Sequence, residues 1–112
     1  MSSLQPEQVV NSSSECFVTV TFYDQNGALY TPYALSYKIV DLTGGTTVVN
    51  WTTLSPSTSS YMLTVTAAQN AMLNAARKTE TRQVIFKIQP TVTSTGRYDP
   101  TTYTIKNISG VP

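Results

Sequence analysis

Between Glu15 and Ile108, apolar side chains recur at every second position in run after run, and turn-forming residues separate the runs. Val18, Val20 and Phe22 share one parity, with Thr19 and Thr21 on the other. Leu35, Tyr37 and Ile39 repeat the pattern, as do Val49 with Trp51, Tyr61 with Leu63 and Val65, Val84 with Phe86 and Ile88, and Tyr103 with Ile105. A period of two is the pleat of a strand with one buried face. The runs predict strands over about 15–24, 34–42, 47–53, 61–65, 81–89 and 101–108. The punctuation agrees: Asp24-Gln25-Asn26-Gly27 makes a turn, Ser55 to Ser60 a loop, Pro90 ends a strand, and Gly96 and Pro100 bracket another break. Thr43-Gly44-Gly45-Thr46 is the strongest hairpin signal and predicts antiparallel pairing of 34–42 with 47–53. Pro32 keeps 28–32 at an edge or in a loop.

Two stretches depart from the alternation. Thr66-Ala67-Ala68-Gln69 has the spacing of a capping box, and Ala67 to Ala76 is rich in helix formers. This predicts one short helix of about ten residues, with Met72 and Leu73 anchoring it to the sheet edge. Residues 1–14 are polar, carry Pro6 and end in three serines. They read as an extended arm, ordered only where something holds it. The expected organisation is thus an arm over 1–14 and a mostly β antiparallel sandwich with one short helix over 15–112.

Composition narrows the function. A chain of 112 residues fits one domain. Charged residues are 12% of it, about half the usual share, while 19 Thr and 12 Ser fill the gap. Such a surface suits lateral contact with other proteins, because few charges must be desolvated when surfaces meet. The net charge of +1 comes without a basic stripe, so no nucleic-acid partner is expected. The cluster Arg77, Lys78 and Arg82, with Glu80 among them, reads as a solvated turn after the helix. Cys16 stands alone, so no intrachain disulfide can form, which fits folding in a reducing cytosol. Cys16 itself reads as a small buried hydrophobe. The first residues lack a cationic start and an apolar core of signal-peptide length, and no run of about 18 apolar residues predicts a membrane span.

Chemistry has little to work with. There is no His, so imidazole triads are excluded and the commonest zinc ligand is missing. Asp24, Asp41 and Asp99 lie far apart in sequence, each beside a turn. The stretch from Asp24 superficially resembles the start of a calcium loop, but no acid closes it. Gly44-Gly45 joins two strands and lacks the Lys-Ser/Thr end of a phosphate loop. No catalytic, metal or cofactor-binding residue is assigned, and the chain is expected to bind rather than catalyse. Trp51 and seven Tyr leave two readings. Trp51 fills the core beside Tyr37, Phe86 and Ile105 with tyrosines covering the edges, or exposed rings form a stacking platform for sugars or bases. The first is the expectation.

The order of these features carries a resemblance. It begins with Phe-Val-Thr-Val-Thr-Phe at 17–22 and an Asn-Gly turn. Tyr-Thr-Pro-Tyr-Ala-Leu-Ser-Tyr-Lys-Ile-Val-Asp follows at 30–41, then a Gly-Gly hairpin and Val-Val-Asn-Trp at 48–51. Leu-Thr-Val-Thr-Ala at 63–67 and Gln-Val-Ile-Phe-Lys-Ile at 83–88 complete it. This resembles the small immunoglobulin-like structural proteins of tailed bacteriophages, over about two thirds of the chain, without the immunoglobulin cysteine pair. The resemblance implies an immunoglobulin-like sandwich in a virion structural protein, folded in the host cytoplasm. Foremost is a capsid decoration or cement protein whose partners are the major capsid protein, other virion proteins or further copies of itself. Neck, tail or baseplate components are the alternative, and a carbohydrate-binding adhesin module is the alternative of another class.

Overall fold

A computed structural model of the chain describes residues 2–4, 9–74 and 76–107, with the backbone alone at 2–4. Among the described residues there are eight strands: β1 (Ser2–Leu4), β2 (Val9–Asn11), β3 (Cys16–Phe22), β4 (Ala34–Asp41), β5 (Thr46–Leu54), β6 (Ser60–Val65), β7 (Thr79–Gln89) and β8 (Arg97–Lys106). They form a three-stranded sheet, β1-β3-β6, and a five-stranded sheet, β2-β8-β7-β4-β5. All pairings are antiparallel except β2 with β8, which run parallel.

The inner faces are the apolar parities of the alternating runs. Val18, Val20 and Phe22 of β3 and Leu63 and Val65 of β6 meet Leu35, Tyr37, Ile39, Val84, Phe86, Ile88, Tyr103 and Ile105 of the larger sheet in one core cluster. Complete burial of a Val, Ile or Phe side chain stabilises by about 1.5–3 kcal/mol. The result is a mostly β two-layer sandwich.

The hairpin between β4 and β5 forms at the Gly-Gly signal. Gly45 adopts φ +72°, a left-handed conformation that glycine tolerates, and its amide donates to the Asp41 carbonyl at 2.8 Å. Gly44 serves another need: a Cβ there would stand 2.9 Å from Asp41 Oδ2 and 3.3 Å from the Arg77 guanidinium.

Pro100 lies inside β8 rather than ahead of it. Pro100 stands opposite Ile85 of β7, and the edge of β8 away from β7 has no strand beside it there, because β2 covers only Thr104 to Lys106.

Of the expected arm at 1–14, residues 1 and 5–8 lie outside the described residues, and Ser2–Leu4 and Val9–Asn11 are held by the domain itself. β1 pairs with β3, while β2 pairs with β8 and buries Val10 in the core. The extended segment therefore contributes a strand to each layer.

Two expectations are corrected. Trp51 is not in the core; it is 42% exposed, unlike Tyr37, Phe86 and Ile105. The cause is a bulge. Tyr37 pairs with Thr52 but Ile39 pairs with Val49, so two residues of β5 stand opposite Lys38. One extra residue breaks the parity, leaving Val49 against the core and Trp51 on the outer face.

The helix expected over 67–76 is also absent among the described residues. The capping box does form: the Thr66 amide donates to Gln69 Oε1 at 2.9 Å, and the Gln69 amide donates to Thr66 Oγ1 at 3.2 Å. One turn follows, closed by the Asn70 amide on the Thr66 carbonyl. Side chains then take the groups a second turn needs. Arg82 donates to the carbonyls of Gln69 and Ala71, and the Glu80 carboxylate accepts from the amides of Leu73 and Asn74. A continuing helix would use the Gln69 carbonyl and the Leu73 amide on each other.

Candidate binding surface

Two groups of polar side chains stand out, one inside the sandwich and one outside it. The inner group brings four charged side chains together. Glu80 Oε1 accepts from Arg82 at 2.8 Å, and its Oε2 accepts from Arg77 at 3.1 Å. Asp41 Oδ2 accepts from the Gly44 amide and lies 3.5 Å from Arg77, while Arg82 Nε stands 3.4 Å from Asp41 Oδ1 without hydrogen-bond alignment. The side chains of Asp41, Glu80 and Arg82 are fully buried. Burial opposes the charge on Glu80, but the Leu73 amide, the Arg82 guanidinium and the Asn74 amide outweigh it and hold the carboxyl below the usual range. Two acids and two arginines balance within the group.

Beside them, Asn70 accepts from the Tyr103 hydroxyl at 2.7 Å and donates to the Ser14 carbonyl at 2.8 Å and to Cys16 Sγ at 3.4 Å. Burial pushes the Tyr103 hydroxyl well above the ordinary phenol range, so it stays a donor, and burial also raises the Cys16 thiol. This network anchors the segment between β6 and β7, and it corrects the expectation that Arg77, Lys78 and Arg82, with Glu80 among them, form a solvated turn: Arg82 and Glu80 are fully buried and Arg77 is partly buried. Among the described residues, no group of three or more His, Cys, Asp or Glu side chains could hold a metal ion.

The outer group is on the exposed face of the five-stranded sheet. Outward positions are Ser36 and Lys38 on β4, Gln83, Ile85 and Lys87 on β7, and Tyr98, Thr102, Thr104 and Lys106 on β8. Three lysines and, among the described residues, no carboxylate occupy this face. Tyr98, Lys87, Ser36 and Thr53 form one cross-strand row. Trp51 on β5 and Tyr98 on β8 are separated by the two intervening strands, yet their ring centroids are 5.9 Å apart at an interplanar angle of 54°. The small Ser36 leaves room for both rings to lean inward. The Lys38 ammonium lies 5.9 Å from the Trp51 ring centroid, and that of Lys87 lies 5.9 Å from the Tyr98 ring. Ser36, Trp51, Lys87 and Tyr98 line a cavity of about 140 Å3.

A larger cleft of about 480 Å3 opens at one end of the sandwich, with Asp24, Tyr30, Thr91 and Arg97 in its walls. It offers less selectivity. Asp24 Oδ1 is taken by the amides of Asn26 and Ala28, Arg97 donates to the Tyr30 hydroxyl, and the two opposite charges offset each other. Asp24, Asp41 and Asp99 do not converge: Asp41 belongs to the inner network, and Asp99 pairs across β7 with Phe86.

Sequence reasoning weighed Trp51 and the tyrosines together but did not find the cleft. The signal that could have marked it is Asn50, whose side chain accepts from the Trp51 amide at 2.8 Å within the bulge. No protein-family model matches the sequence, and no curated protein is similar to it.

Proposed function

We propose that this chain is a structural protein of a tailed-phage virion, a capsid decoration or cement protein that docks through the outer face of its five-stranded sheet. The single observation that carries the docking surface is the Trp51–Tyr98 pair, 42% and 59% exposed on the outer face of the larger sheet. Tyr and Trp are the residues around which protein interfaces concentrate their binding energy. The strand order supports an immunoglobulin-like reading. β3 and β6 face β8, β7, β4 and β5, the division such sandwiches make between their sheets. Shell assignment rests on the resemblance of the sequence to phage structural proteins. A domain that binds only the assembled shell, bridging neighbouring subunits, stabilises it by mass action.

The test adds purified protein to virions stripped of it. The intact chain is expected to occupy heads, and a Trp51→Ala/Tyr98→Ala variant to lose occupancy while keeping its melting temperature. Binding to purified tails in place of heads would move the protein to the neck, tail or baseplate. A second reading, the carbohydrate-binding module, draws on the same exposed rings, and retention of the intact chain on a glycan array but on no particle would select it.

A further inference from the structure

We infer that the cleft between Trp51 and Tyr98 receives a single carboxylate side chain of a partner protein, held by the Lys87 ammonium in its wall and drawn in by the Lys38 ammonium over the Trp51 ring. The inference deepens the docking reading above and rests on it. Size is the first argument. A cavity of about 140 Å3 is well under the roughly 300 Å3 at which small-molecule sites begin, and suits one side chain. Charge is the second. Neither lysine has a carboxylate partner among the described residues, and the face around them carries cations alone.

Placement is the third. Each ammonium is held over a ring by the attraction of a cation for the aromatic face. The Lys87 stem also packs on Gly96, where a Cβ would meet its Cε at 2.8 Å. The cations are thus positioned before a ligand arrives, which lowers the ordering cost of binding. The same placement argues against an acidic sugar. Stacking a pyranose needs a free ring face, and here an ammonium covers a face of each ring. A carboxylate instead completes the arrangement, accepting charge-assisted hydrogen bonds while the rings exclude water from them.

Trp51 is the only tryptophan in the chain, so its emission reports on the cleft directly. The full chain is titrated with end-blocked tetraglutamate, with tetraglutamine of the same length, and with tetragalacturonate. Tetraglutamate is expected to change Trp51 emission saturably and less tightly at higher salt, and tetraglutamine to leave it unchanged. Lys38→Gln/Lys87→Gln should weaken the response about tenfold, the loss expected from one charge-assisted contact. Lys106→Gln, which also removes a charge from this face, should leave it in place. Silence toward tetraglutamate, equal weakening by Lys106→Gln, or a response to tetragalacturonate at equal or lower concentration would each overturn the assignment. The particle assay separates this from the docking reading. Occupied heads with a cleft silent to tetraglutamate sink the carboxylate alone, and a responsive cleft with empty heads sinks the virion role alone.

Discussion

Arg82 and Lys87 lie five residues apart on β7 and point to opposite faces of one sheet. The guanidinium of Arg82 is completely buried and meets Glu80, Asp41 and two backbone carbonyls. Lys87 is exposed and meets a tyrosine ring, a glycine and solvent. The inner cation is surrounded by groups that the chain supplies for it, and removing it would strand them. The outer one lies over a ring and, among the described residues, has no counter-charge. That contrast separates electrostatics used for folding from electrostatics left open for a partner.

The largest expected effect tests the inner side. Arg82→Met leaves Glu80 and Asp41 buried with only the partly exposed Arg77 beside them and should cost about 3–5 kcal/mol in urea denaturation. A loss below about 1 kcal/mol would show that water reaches the site and that the two faces are less different than their burial implies.

Acid sharpens the same side by a smaller amount. Glu80 has its carboxyl below the ordinary value of 4.5 in the folded chain. Its stabilisation is therefore complete above that value and is lost as pH falls through the lower, folded one. The melting temperature should drop as pH falls below about 4.5, and Glu80→Gln should flatten its part of that slope. A slope unchanged by Glu80→Gln would assign acid sensitivity to other carboxylates.

The capping box is next in size. Thr66→Ala should cost on the order of 0.5–2 kcal/mol and Thr66→Gly clearly less. Equal costs would mean that Arg82 and Glu80 alone shape the 66–78 segment. Smallest of all, Lys87→Met should change stability by no more than about 0.5 kcal/mol, as surface changes away from special features do. A cost matching that of Arg82→Met would erase the distinction between the faces.

Much of the fold was legible because strand parity is a local property. The runs holding Val18, Leu35, Leu63 and Phe86 needed only their own alternation to predict element and inner face. What escaped depended on partners distant in sequence. Trp51 changed faces because one bulge residue at Asn50–Trp51 altered the parity, which neither propensity nor periodicity encodes. The helix failed although Thr66 and Gln69 capped it as their spacing demands, since Arg82 and Glu80 arrive from another strand to take its backbone groups. The cleft escaped for a related reason. Trp51 and Tyr98 are 47 positions apart in sequence, and only the strand order brings them over Ser36.

The parallel pair of β2 and β8 has a mechanical consequence. Val9 to Asn11 lie along Thr104 to Lys106, so the chain enters the pair at one end and leaves it at the other. Tension applied at Val9 and Lys106 would slide these strands along their shared axis instead of peeling them apart. Their hydrogen bonds would then be loaded together, and the domain would resist that direction of pull more than its few paired residues suggest.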